Sequence, residues 1–172
     1  MRRVLVIGSG GAGKSTFSRR LGQRLGLPVV HLDAHYWRAG WVEPAREEWT
    51  LAVARLLERE HWVIDGNYSG TLPARLAACD TVVFLDLPRW LCLWRVCWRA
   101  LSHRGRTRPD MADGCPERLE PAFLRWVWDY RRRSRPAVLA LLAEAGRQRK
   151  VVHLGSRREV ERFLRSLHEG TR

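Results

Sequence analysis

Lysine is nearly missing from this chain: it stands only at Lys14 and Lys150, and every other basic side chain is arginine. Long apolar runs are missing as well. No stretch of 18 or more apolar residues occurs, so no membrane-spanning helix is predicted. The cysteines Cys79, Cys92, Cys97 and Cys115 form no C-x-x-C pair and no zinc-type spacing. That pattern predicts reduced, mostly buried thiols in a cytoplasmic protein. The apolar run behind Arg2-Arg3 is too short for a secretory leader and runs straight into glycines. No internal repeat or low-complexity linker appears. Acids are scarce, 18 against 31 Lys and Arg, giving a formal net charge of +13. A balance so basic points to an anionic partner, either polyphosphate nucleotides or nucleic acid. Between Arg95 and Arg135 there are 11 arginines against 5 acids, which favours a local anion site over a uniform basic surface.

What is present is more specific. Gly8-Ser9-Gly10-Gly11-Ala12-Gly13-Lys14-Ser15 spells the complete phosphate-binding loop G-x-x-x-x-G-K-[ST]. Val4 to Ile7 reads as a buried strand before it, and Ser15 to Leu25 as the helix after it. Glycines let successive backbone N–H groups turn toward β- and γ-phosphates, and the helix N-terminus adds partial positive charge. Gly8, Gly10, Gly11, Ala12, Gly13, Lys14, Ser15 and Thr16 are therefore the expected nucleotide-binding residues. Lys14 would neutralise the phosphates, and the Ser15 hydroxyl would ligate Mg²⁺.

The remaining elements alternate. Strands are predicted at Val29–His31, His61–Asp65, Thr81–Leu85 and Lys150–Leu154. Helices are predicted from Pro44 to about Arg59, from Pro88 to about Leu101, and from Phe123 to Ala145 with a kink at Pro136. Ser156 caps a closing helix. The segment 102–121, rich in Arg, Gly, Pro and Asp, reads as a mobile lid. Trp90, Trp94 and Trp98 recur at helical spacing, which predicts packing. The chain of 172 residues thus reads as one α/β domain, 1–172, with a five-stranded parallel sheet, helices on both faces and a lid. Ligands of such sheets bind beyond the carboxyl ends of the strands, where the loop, Asp33 and Asp65 all lie.

A carboxylate after an apolar strand, beside a phosphate loop, holds Mg²⁺ or takes a proton from a substrate hydroxyl. Asp65 is the expected metal ligand with Ser15, and Asp33 the expected base. Tyr36, Trp37 and Trp41 follow Asp33 and suit a stacking wall for a planar acceptor, with Gly66 and Asn67 beside it.

These motifs in this order resemble the adenylate-kinase-like family of P-loop kinases. The carriers are the phosphate loop, Asp65-Gly66, and Pro88 followed by Arg95 and Arg99. In that family's pattern the first arginine packs on the nucleotide base and the second contacts phosphates, so the resemblance gives those roles to Arg95 and Arg99. Spacing of four places both on one helix face. "LDAHYWRAGW", "WVIDGNY", "DTVVFLDLPRW" and "GCPERLEPAFLRWVWDYRRRSRP" resemble more closely the DNA topology modulation (FlaR-type) proteins. Adenylate kinases carry an arginine after Asp-Gly-Phe to hold the acceptor phosphate. Asn67-Tyr68-Ser69 stands there instead, so the resemblance implies ATP as donor and leaves the acceptor open.

The expected protein is an ATP- and Mg²⁺-dependent kinase of the nucleoside monophosphate kinase-like fold, acting on a small molecule. Lys14, Asp33, Arg99 and Arg132 are the expected catalytic residues. Ser156, after the last strand, joins Arg95 near the nucleotide. The alternative is an ATP-binding regulator that engages nucleic acid through its arginines.

Overall fold

The computed structural model describes residues 1–167; the last five residues of the expected 1–172 range lie outside it. Its sheet is five-stranded and wholly parallel. The strands are β1 (Arg3–Gly8), β2 (Val29–His31), β3 (Trp62–Asp65), β4 (Thr81–Leu85) and β5 (Lys150–Leu154), in the order β2-β3-β1-β4-β5. β1 lies at the centre because Val4 to Ile7 is buried on both faces. Its alternate side chains feed two cores. Leu5 and Ile7 join Val30, Trp62, Ile64 and Phe84 on one face. Val4 and Val6 join Phe17, Val63, Val83 and Leu85 on the other.

The helices are α1 (Lys14–Leu25), α2 (Leu32–Tyr36), α3 (Arg46–Leu57), α4 (Leu72–Ala78), α5 (Arg89–Ser102), α6 (Pro121–Arg133), α7 (Arg135–Ala145) and α8 (Arg157–Ser166). α3, α4 and α7 cover the first core through Trp49, Val53, Leu76 and Leu142. α1, α5, α6 and α8 cover the second through Leu21, Val96, Val127 and Leu164. The register sets Asp65 opposite Val6 and His31 opposite Asp65, so the phosphate loop and both β-strand ends meet at one edge.

Two expectations change, and two helices are added. α2 and α4 are helices that the sequence pattern left unassigned. The helix expected from Phe123 to Ala145 breaks at Ser134 rather than kinking at Pro136. Pro136 stands at the N-terminus of α7, where its missing N–H costs nothing. Trp90, Trp94 and Trp98 do not pack inward: they are 63%, 60% and 61% exposed. Cys92, Val96 and Ala100 make the buried face of α5. They lie two positions away, about 200° around the helix. The segment 102–121 is tied to the loop after α2 at two points. Gly40 N donates to Gly114 O at 2.9 Å, and Trp41 Nε1 donates to Pro116 O at 3.2 Å. Gly114 has φ +75°, and a Cβ there would meet that of Ala39 at 2.8 Å, so only glycine allows this approach.

Candidate active site

The loop between β1 and α1 is pressed against α5. A Cβ on Gly11, whose φ is +75°, would come within 2.2 Å of the Cys92 carbonyl oxygen. Arg95 braces the loop from outside, its Nη1 donating to Ala12 O at 3.2 Å and Gly11 O at 3.4 Å. Asn67 braces it from the loop after β3, its Oδ1 accepting from Gly8 N at 3.2 Å. Lys14 Nζ donates to the carbonyls of Gly8 and Ser9, both at 3.0 Å. Burial pushes the Lys14 ammonium below its usual range, and Asp33 and Asp65 oppose that shift.

A cleft of about 1090 Å³ opens above this loop. Of the sequence-predicted residues, Gly10, Gly11, Ala12, Gly13, Lys14, Ser15, Thr16, Asp33, Trp37, Gly66, Asn67, Arg95 and Arg99 line it. Gly8, Tyr36, Asp65, Arg132 and Ser156 do not. Tyr36 stands behind Tyr68, ring centroids 4.5 Å apart. Ser156 caps α8, its hydroxyl accepting from Glu159 N at 3.2 Å. Arg132 is exposed at the far end of α6, because the buried positions of that helix are Val127 and Tyr130.

Asp65 is buried beneath the loop, its Oδ2 2.6 Å from His31 Nδ1. Burial lowers the His31 pKa, but the bond to Asp65 outweighs it and the net shift is upward. Asp33 and Asp110 are the two aspartates that line the cleft, beside Glu43, Glu117, Glu120 and Glu161. Asp33 Oδ1 accepts from the Tyr68 hydroxyl at 2.7 Å. Burial first, and Asp33 second, hold the Tyr68 phenol well above its usual range.

Arg108, Asp110 and Glu117 reach the cleft from the segment 102–121; the sequence points to the arginines of that segment, Arg108 among them, but not to the two acids. Glu117 is buried between two arginines. Its Oε1 accepts from Arg99 Nε at 2.9 Å, and its Oε2 lies 2.6 Å from Arg108 Nε without hydrogen-bond alignment. Arg108 Nη1 donates to Asp110 Oδ2 at 2.8 Å. Burial raises the Asp110 carboxyl, but Arg108 and then the Ser15 hydroxyl overcome it and hold it low.

Arg75 was also missed. From α4 it donates to the carbonyls of Gly66 and Tyr68, both at 2.8 Å, and to that of Asn67. Burial pushes its guanidinium down to about 10. A signal existed: Arg75 shares a helical face with Leu72, Leu76 and Cys79, an odd company for an exposed arginine.

No protein-family model and no curated protein sequence matches the chain. Solved structures do. The chain is similar to shikimate kinase from Bacteroides thetaiotaomicron, at 18% identity over 98% of this chain and 96% of that one, with a TM-score of 0.53. It is also similar to shikimate kinase from Acinetobacter baumannii in complex with shikimate, at 19% identity over 99% and 95%, with a TM-score of 0.58. Together with the topology, these likenesses establish a P-loop kinase-like fold.

Proposed function

We propose that this chain is an ATP- and Mg²⁺-dependent phosphotransferase acting on a small-molecule acceptor. One observation carries the reading: the Lys14 loop and the Asp33 carboxylate line the same cleft. The donor set fits a magnesium polyphosphate. It offers an ammonium (Lys14), two hydroxyls (Ser15, Thr16), arginines at the rim (Arg95, Arg99, Arg108) and carboxylates facing them (Asp33, Asp110). Bound Mg²⁺ would offset phosphate charge. Ser15 would hold it, with Asp33 and Asp110 better placed than Asp65 to face it. Asp65 would act from beneath, through His31.

Within this reading Lys14, Arg99 and Arg108 stabilise charge spread over the transferred group. Asp33 orients the acceptor hydroxyl and takes its proton, with Tyr68 fixing the carboxylate. The segment 102–121 acts as a lid that excludes water. The finer likeness to FlaR-type proteins and the nucleic-acid alternative rest on sequence resemblance and surface charge rather than on the cleft.

The test is ADP formation by a folded Lys14→Ala protein. Turnover should fall by about a hundredfold or more, in the range seen when one preorganised charge-stabilising group is lost. Turnover within twofold of the unmodified protein would sink the proposal. If duplex DNA is bound with a steep salt dependence while no acceptor raises ADP formation, the alternative takes its place.

A further inference from the structure

α5 serves the cleft on one side only. Arg95 and Arg99, four apart, line the cleft. The outer side, by helical spacing, is Trp90, Leu91, Trp94, Cys97, Trp98 and Leu101, with no charged residue. Trp90, Trp94, Trp98 and Leu101 are all more than half exposed. From Trp90 to Leu101 this face runs about 16 Å along the helix axis. Its rings are ordered against one another. Trp94 and Trp98 lie 9° from parallel, with centroids 6.2 Å apart. Trp90 meets Trp128 of α6 edge-on at 4.6 Å. The Arg89 guanidinium lies 4.2 Å from the Trp128 ring centroid and 5.4 Å from that of Trp90, which joins the two helices into one surface.

A contiguous exposed apolar face marks a contact surface, and the charge beside it indicates the partner. α5 and α6 together hold seven arginines and one acid, Asp129. Arg125 and Arg132 stand three before and four after Trp128, on the same side of α6, and both are exposed. Asp129 is shared by Arg125 at 4.0 Å and Arg133 at 3.7 Å, so one carboxylate meets two of these cations. The surface is therefore apolar along α5 and cationic along α6. Indoles favour the boundary between lipid headgroups and acyl chains, and arginines favour anionic headgroups. α5 has 14 residues, fewer than the about 20 that cross a bilayer, so such a contact runs along the membrane surface. A nucleic-acid strand would need cations among the rings, and the outer side of α5 has none. A second copy would bring the same arginines with the same single acid.

We propose that this face docks the chain on an anionic phospholipid membrane, with the indoles of Trp90, Trp94 and Trp98 at the headgroup boundary and Arg125 and Arg132 among the lipid phosphates. The proposal does not depend on the phosphotransferase reading. It also gives Arg132 a partner outside the cleft.

The experiment is co-sedimentation of the full chain with vesicles of equal parts phosphatidylserine and phosphatidylcholine, against vesicles of phosphatidylcholine alone. The anionic vesicles should bind about tenfold or more tighter. Trp94→Ser/Trp98→Ser should weaken that binding about tenfold or more, because the apolar contact is lost. Arg125→Ser/Arg132→Ser should weaken it about fivefold for each arginine removed, while leaving binding to phosphatidylcholine unchanged. Circular dichroism checks the fold of both variants, whose substitutions are at exposed positions. Failure to sediment with the anionic vesicles, or equal binding to both kinds, would overturn the proposal. So would parent-like binding by the tryptophan variant. Two further measurements identify other occupants. A single-stranded oligonucleotide whose binding is lost in the tryptophan variant, with no vesicle binding by the parent, would assign the face to nucleic acid. A parent dimer that the tryptophan variant turns into a monomer in analytical ultracentrifugation would assign it to a second copy.

Discussion

Arg75 donates to the carbonyl oxygen of Gly66 at 2.8 Å from a position with no solvent exposure. The same guanidinium gathers the carbonyls of Asn67 and Tyr68 and reaches Thr71 Oγ1 at 3.2 Å. No carboxylate pairs with it among the described residues. A buried cation therefore does the work of a turn, and Asn67 and Tyr68 inherit their positions from it. Tyr68 accepts a left-handed backbone, φ 30°, as part of that arrangement.

Arg75→Met should cost about 3 kcal/mol or more, because three buried carbonyls lose their donor. The Tyr68–Asp33 contact should loosen with it. Urea unfolding measures the loss. A midpoint unchanged from the parent protein would show that the loop holds itself.

Asp33→Asn should slow acceptor-dependent turnover by about 10²–10⁴, the usual contribution of a general base. Binding of ATP without Mg²⁺ should change little, since the loop hydrogen bonds do not include Asp33. Single-turnover kinetics with an identified acceptor separate the two. Equal losses in ATP affinity and in transfer would assign Asp33 to the nucleotide instead.

The His31–Asp65 pair makes stability depend on pH. His31 has a folded-state pKa above its usual 6.5, so its contribution is fully present below that value and is lost as pH rises through the raised one. Stability should therefore decline on the alkaline side of 6.5, and His31→Gln should flatten that decline. Urea midpoints taken from about pH 5.5 to 8.5 decide this. A His31→Gln protein with the parent's full pH slope would remove the pair from consideration.

The order of the fold is written in local pattern, and so is the phosphate loop. Val4 to Ile7, followed by glycines, Lys14 and Ser15, needs no partner to be read. Asp33 and Asp65 are legible as strand-end carboxylates, but only the register across β2 and β3 shows that His31 claims Asp65. The role of Glu117 depends on Arg99, 18 residues away, and Gly114 accepts a hydrogen bond from Gly40, far earlier in the chain. Contacts of that kind leave no local trace. Spacing of four identifies Trp90, Trp94 and Trp98 as one face of α5, but a period says nothing about which way a face turns. The smaller Cys92, Val96 and Ala100 decide it by allowing α5 to lie close against the loop.

Glu117 is the latch of the segment 102–121. Glu117→Gln should remove the charge that reconciles Arg99 with Arg108, leaving two neighbouring cations partly buried. Backbone hydrogen exchange over residues 104–117 should speed up about tenfold or more, while β1 and β4 stay protected. ATP should restore part of that protection by supplying phosphate oxygens to the same arginines. Exchange as slow as in the parent would mean that the contacts of Gly114 and Pro116 hold the segment unaided.

The outward tryptophans of α5 also set how these molecules behave in a crowd. A stripe of indoles ending in Leu101, itself 70% exposed, is adhesive. What keeps copies apart is their shared charge of +13, and that repulsion reaches only as far as the ions allow. Its range shrinks from about 30 Å at 0.01 M salt to about 3 Å at 1 M. Concentrated salt, usually chosen to quiet a basic protein, would here strip the guard from its stickiest face, so colloidal stability should be sought at low ionic strength.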